Sequence, residues 1–415
     1  MGMELYIILI LAIIVGFYMA WNIGANDVAN AMGTCVGSGS ISLKQAIIIA
    51  GIFEFLGAVL VGSHVTQTIK GSIISPEQFI NNPDIFMWGM FSAMLASGIL
   101  LQIATYYSLP VSTTHAIIGG VAGFGIVSVG IANINWDTLS GIALSWVISP
   151  VAGAITAFTM FLVIKRKILF AENPMEQMKS LAPYLVMLIA FVLVHSLVYK
   201  GLKNLHLDLN FTQASIIAGI IGIISAIICN IWINKKKLNI KEDQIDFVER
   251  IFGSLLIITG CYITFAHGAN DVANAIGPLA AITTVVQNQS IDLNEMYVPL
   301  WVLMLGGIGI VIGLATWGYR VMETLGKKIT ELTPTRGFSA TFGAATTVLI
   351  CSKLGLPVST THVIVGSVIG VALARGIGAL NTAIIKDIFA SWIVTIPASA
   401  IFTMIIFKVI EFIAI

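Results

Sequence analysis

Charge is scarce in this chain: 21 Lys and Arg with 20 Asp and Glu make up 10% of 415 residues, where soluble globular proteins carry roughly a quarter. That scarcity excludes a soluble globular domain. A formal net charge of +1 also excludes a polybasic surface, and with it a nucleic-acid partner. Cysteine is equally thin. Cys35, Cys229, Cys261 and Cys351 have no paired spacing, so neither a disulfide framework nor a zinc site is expected. No glycine-rich nucleotide loop is present. The first apolar run follows Glu4 without a basic region before it or a small-residue cleavage site after it, and reads as a retained helix rather than a signal peptide.

What the chain has instead is apolar length. Hydrophobic residues are 57% of the sequence and the mean hydropathy is +0.97. Runs such as Leu5 to Ala20, Ala46 to Gly62, Tyr184 to Val198 and Ile216 to Ile233 suit a hydrocarbon core about 30 Å thick. Uniformly apolar runs must satisfy their backbone groups internally, so they are expected to be helices and not the alternating strands of a barrel.

Two strings recur. Gly-Ala-Asn-Asp-Val-Ala-Asn-Ala stands at 24–31 and 268–275, offset by 244, and Leu-Pro-Val-Ser-Thr-Thr-His at 109–115 and 356–362, offset by 247. Ser145-Trp146 with Pro150 answers Ser391-Trp392 with Pro397. The expected division is a first repeat over 1–165, cytoplasmic loops and a two-helix linker over 166–249, and a second repeat over 250–415. Lys165-Arg166-Lys167 and Lys235-Lys236-Lys237 with Lys241 flank the linker spans, which the positive-inside rule makes an in-out-in hairpin. An odd number of crossings per half then inverts the second half. The fold class expected is an all-α polytopic membrane protein of about twelve helices in two inverted repeats, with broken helices at the midplane. Both termini are expected outside an inner, multi-pass cell membrane.

The repeated motifs supply chemistry. Asn26, Asp27 and Asn30, with Asn270, Asp271 and Asn274, offer carboxylate and amide oxygens, hard ligands for an alkali cation, and Gly24 is expected to break the helix ahead of them. The competing reading is a helix cap; duplication of the whole set favours the site. Ser112, Thr113 and Thr114, with Ser359, Thr360 and Thr361, follow Pro110 and Pro357, as at helix N-termini whose N–H groups and hydroxyls could surround a tetrahedral oxyanion. The competing reading is hydroxyls bonded one turn back. His115 and His362 border or orient this motif. Neither motif contains Arg or Lys, so a buried anion needs counter-charge from a bound cation.

Both pairs of motifs resemble the signature of the inorganic phosphate transporter (PiT) family, over both halves of the chain. The resemblance implies symport of inorganic phosphate with sodium or protons, the Asn-Asp motifs serving cations and the Ser-Thr-Thr motifs phosphate. Sodium is preferred here because amide oxygens coordinate a metal ion but carry no proton. No cofactor is expected beyond co-transported sodium; the partners are phosphate, sodium or protons, and the lipid bilayer, and a homodimer is compatible with an apolar surface rich in glycine. Two features break symmetry. Glu54, in an apolar span, aligns at an offset of 256 with Ile310 and reads as an unpaired carboxylate, a third cation or proton site. Gly337-Phe338-Ser339-Ala340 is followed by Thr341 where the family resembles an acidic residue, which bears on cation number. The alternatives are a proton-coupled phosphate or sulfate permease of this fold, an anion channel, and, more remotely, an intramembrane hydrolase using Ser, His and Asp.

Overall fold

A computed structural model describes residues 3–69, 73–198, 209–235, 243–291, 298–353 and 358–414. Lys236, Lys237 and Lys241 of the second basic cluster, and Pro357, lie outside the described residues. Among the described residues there is helix and no strand. The first six helices are α1 (Met3–Asn26), α2 (Val28–Gly37), α3 (Leu43–Ile69), α4 (Pro83–Tyr106), α5 (Thr113–Ser128) and α6 (Trp136–Ile164). Two more, α7 (Pro174–Ser196) and α8 (Phe211–Lys235), form a hairpin packed along its length. The remainder are α9 (Gln244–Asp271), α10 (Ala273–Asn288), α11 (Leu300–Trp317), α12 (Tyr319–Glu323), α13 (Pro334–Lys353), α14 (Thr360–Arg375) and α15 (Thr382–Ala414).

Local chemistry sets several of these boundaries. Pro83 and Pro174 open α4 and α7, where a missing N–H costs nothing. The Asn135 side chain accepts from the Thr138 N–H at the start of α6, and Asp243 from the Ile245 N–H at the start of α9, each satisfying one orphan donor. Nine segments among the described residues are long and apolar enough to cross a membrane. To these add the shorter apolar helices α5 and α14 and the mostly buried α13. Of the apolar window of α8 only 17% is buried, which leaves its surface to lipid.

The helix order of α1–α6 returns in α9–α15, with α11 and α12 together standing where α3 stands in the first half, and the contacts return with it. Helix α1 packs on α11 as α9 packs on α3, and α5 packs on α15 as α14 packs on α6. Glycine makes the first of these contacts. A Cβ on Gly24 would meet the Ile310 carbonyl oxygen at 1.9 Å, and one on Gly268 that of Glu54 at 2.3 Å. A Cβ on Gly313 would stand 1.8 Å from the Trp21 carbonyl oxygen, and on Gly57 2.1 Å from that of Phe265. Backbone therefore touches backbone at four points that exchange under the offsets of 244 and 256. That reciprocity is the mark of a two-fold interface, and it supports pairing Glu54 with Ile310.

The structure corrects two expectations. Helix α1 runs through Gly24 to Asn26 and breaks at Asp27, while α9 runs on to Asp271 and breaks at Val272. Gly24 serves close packing rather than the break. Nor does Pro110 lie in a first helical turn: α5 begins at Thr113, capped by Ser112, and the Pro110 carbonyl instead accepts from Trp392 Nε1 at 3.0 Å.

Candidate functional site

The two repeated motifs of each half converge on one buried locus. Asp27, at the α1–α2 break, accepts at Oδ2 from the Thr113 hydroxyl (2.8 Å) and backbone N–H (3.3 Å). Its Oδ1 accepts from Asn30 Nδ2 at 2.8 Å and from the Thr361 hydroxyl. Asn30 Nδ2 also reaches Thr361 Oγ1, at 2.9 Å. In the second half the Thr360 hydroxyl donates to Asp271 Oδ2 at 3.3 Å, and Asn274 Nδ2 donates to Thr113 and Thr114 Oγ1 at 3.0 and 3.2 Å. The amide-carboxylate motif of each half thus meets the hydroxyl motif of the other. Asn30 to Thr361 and Asn274 to Thr114 are the same contact made twice.

Not every expected residue joins. Asn26 faces the α4–α5 turn, donating to Thr105 Oγ1 and the Leu109 carbonyl at 2.9 and 3.0 Å and accepting from the Val111 N–H at 3.1 Å. Asn270, its counterpart, donates to Asp271 Oδ1 at 3.2 Å. Ser112 and Ser359 act as helix caps: each hydroxyl oxygen accepts, at 3.3 Å, the N–H of His115 or His362. These two histidines form a ring contact of their own, centroids 4.6 Å apart, with His115 against Trp146 (4.7 Å) and His362 stacked on Trp392 (3.6 Å). They border the hydroxyl motifs in sequence and pack the two helix starts together.

One residue of the locus escaped sequence reasoning. His267, on α9 one turn before Asp271, places Nδ1 3.0 Å from Glu54 Oε1 and Nε2 2.7 Å from Asp271 Oδ2 and 3.8 Å from Asp27 Oδ2. Glu54 is therefore paired, contrary to its reading as a lone carboxylate. All four are buried, with 2% or less of each exposed. A buried carboxylate is costly unless paired and hydrogen-bonded, and His267 meets that need for Glu54. The signal was there. Under the offset of 244 His267 stands opposite Ile23, so it breaks the symmetry of the repeat just as Glu54 does. Thr341 lies 2.8 Å from Thr34, hydroxyl to hydroxyl.

Chemically the locus sets carboxylate and amide oxygens, ligands for a cation, against hydroxyls and helix N-termini, donors for an anion. Residues 23–403 match the model of the phosphate transporter family. A candidate phosphate permease of Pyrococcus horikoshii is 50% identical over 406 residues, covering 97% of both chains. The chloroplastic inorganic phosphate transporter 2-1 of Arabidopsis thaliana is 43% identical over 429 residues, covering 96% of this chain and 72% of that one. A solved structure described as the sodium-dependent phosphate transporter superposes with a TM-score of 0.88 at 43% identity, over 98% of this chain and 99% of that one.

Proposed function

The chain belongs to the phosphate transporter family, a family of multi-pass membrane transporters and not of enzymes, and on that premise we propose that it imports inorganic phosphate together with sodium by alternating access. Phosphate transport follows from the family; sodium coupling and the residue roles are our reading. The observation that carries it is the doubled cross-contact of Asn30 with Thr361 and Asn274 with Thr114. Cations on Asp27 with Asn30 and on Asp271 with Asn274 would lie within a few ångströms of a phosphate on Thr113, Thr114, Thr360 and Thr361. Asn26 and Asn270 shape the two cation sites, and Ser112 and Ser359 align the helix ends.

Coupling then needs no further device. Opposite unit charges about 4 Å apart attract by about 4 kcal/mol at an effective dielectric constant near 20, or roughly three decades in affinity. Sodium is favoured over protons because the amides Asn30 and Asn274 flank the two aspartates. Phosphate is favoured over sulfate because Asp27 lies among the hydroxyls, where it can accept the hydroxyl that phosphate carries and sulfate lacks. Glu54, as a third cation or proton site, would act through His267. Basic residues beside the linker hairpin support an inner-membrane setting with both termini outside.

The test is uptake of radiolabelled phosphate by proteoliposomes of the purified protein under inward sodium and then inward proton gradients, with excess sulfate as competitor. Sodium-driven uptake indifferent to sulfate is the expected result. Proton-driven uptake moves the coupling ion, sulfate block moves the substrate, and no gradient-driven uptake overturns the reading.

A further inference from the structure

The two aspartates of the locus are equivalent by repeat, but their surroundings are not. Asp27 is held mainly by hydroxyl, amide and backbone N–H donors, with the His267 imidazole 3.8 Å away, whereas Asp271 has that imidazole at 2.7 Å. His267 Nε2 is buried with no aligned hydrogen bond, although two carboxylate oxygens face it. Its Nδ1 is held by both oxygens of Glu54, at 3.0 and 3.1 Å. One carboxylate behind a ring nitrogen, and two in front of the other, is the arrangement in which a metal-bound histidine is normally found.

We infer that Asp27, Asp271 and His267 Nε2 form a binding site for a divalent transition-metal ion of the zinc class, with Glu54 as the positioning residue behind the imidazole. The candidate donor atoms lie within 4.8 Å of one another. Around a tetrahedral ion at about 2.1 Å from each donor, neighbouring ligand atoms are about 3.4 Å apart. The separations of Nε2 from Asp271 Oδ2 and Asp27 Oδ2, 2.7 and 3.8 Å, bracket that value, so the ion would be seated as Nε2 and Asp271 Oδ2 move apart by about 0.7 Å. An all-oxygen set suits sodium or magnesium; a ring nitrogen moves preference toward zinc, cobalt and their neighbours. The ion would span the halves of the repeat, since Asp27 is on the first and His267 and Asp271 are on the second. It would also take the two carboxylates that the sodium reading assigns to sodium, so zinc and sodium would compete. The inference shares that reading's residues but not its outcome.

The experiment is calorimetric titration of Zn²⁺ into the purified full-length protein in detergent, in low and high sodium. Visible absorption of bound Co²⁺ reports nitrogen and oxygen ligation. One zinc equivalent is expected that disappears in His267→Ala, binds about 10- to 100-fold more weakly in Glu54→Gln, and weakens as sodium rises. Zinc bound by His267→Ala as by the parent protein overturns the site. If that variant does not fold, Glu54→Gln decides: unchanged zinc affinity there overturns it equally. Phosphate uptake is measured separately, so absence of zinc binding by the parent protein with sodium-driven uptake intact sinks this inference alone, and zinc binding without gradient-driven uptake sinks only the proposed function.

Discussion

Glu54 and His267 are bonded across the two halves of the repeat, Nδ1 to Oε1 at 3.0 Å, at positions whose counterparts in the other half are Ile310 and Ile23. Both departures from symmetry are one event. Where the repeat-related positions carry two aliphatic side chains, these carry two ionisable ones, and an unpaired Glu54 would be costly at that depth of burial.

Replacing His267 leaves Glu54 unpaired, and replacing Glu54 removes the partner of His267 Nδ1. Glu54→Leu and His267→Leu are each expected to destabilise the protein by about 3–5 kcal/mol, while the double replacement costs less than the two losses added. Thermal unfolding in detergent measures all three. Strictly additive losses would show that the pair is not coupled.

Asp27 is held by more donors than Asp271: the Thr113 hydroxyl and N–H, the Thr361 hydroxyl and Asn30. Asp27→Asn and Asp271→Asn should each raise the sodium concentration needed for half-maximal phosphate uptake by about tenfold or more, equivalent to about 1.4 kcal/mol. The larger loss of thermal stability belongs to Asp27→Asn. Unchanged sodium dependence in both variants would remove these aspartates from the cation sites.

Thr114 and Thr361 occupy equivalent positions and meet Asn274 and Asn30. Each hydroxyl bond to a charged ligand is worth about 1.5–3 kcal/mol, so Thr114→Val with Thr361→Val should weaken phosphate binding by at least about a hundredfold. Sodium binding, followed by calorimetry without phosphate, should change little. Phosphate affinity that survives the double replacement places the anion elsewhere.

Gly313 admits no side chain, since a Cβ would stand 1.8 Å from the Trp21 carbonyl oxygen, whereas nothing lies within 4 Å of a Cβ on Gly219. Gly313→Ala should lower stability by at least about 1–3 kcal/mol. Gly219→Ala, on the lipid-facing α8, should be neutral or gain up to about 1 kcal/mol in helix propensity. Comparable melting temperatures for the two variants would show that the α1–α11 contact is not tight.

The spans were legible because hydropathy alone marks them, and the doubled motifs gave the candidate ligands by type. Three things were not. The helix breaks fall at Asp27 and Val272 and not at Gly24, because close backbone approach and chain reversal both select glycine and the sequence does not say which. Asn26 leaves the site although it shares the motif, since spacing of three and four fixes a face only while the helix continues, and here it ends. His267 went unread because one histidine in an apolar helix is usually packing. Only its alignment with Ile23, set beside that of Glu54 with Ile310, marks it out, and that comparison joins positions 213 residues apart.

The reciprocal glycine contacts have a historical meaning as well. An interface in which Gly24 meets Ile310 as Gly268 meets Glu54 is one that a half-length polypeptide could form with a second copy of itself lying upside down in the bilayer. The fold is in this sense a homodimer written into one gene, with the α7–α8 hairpin as a tether whose two crossings leave unchanged the inversion set by an odd number of crossings per half. Fusion freed the copies to diverge. A self-associating ancestor would have carried any acidic residue at the Glu54 position twice and any imidazole at the His267 position twice, whereas a fused chain can keep one of each.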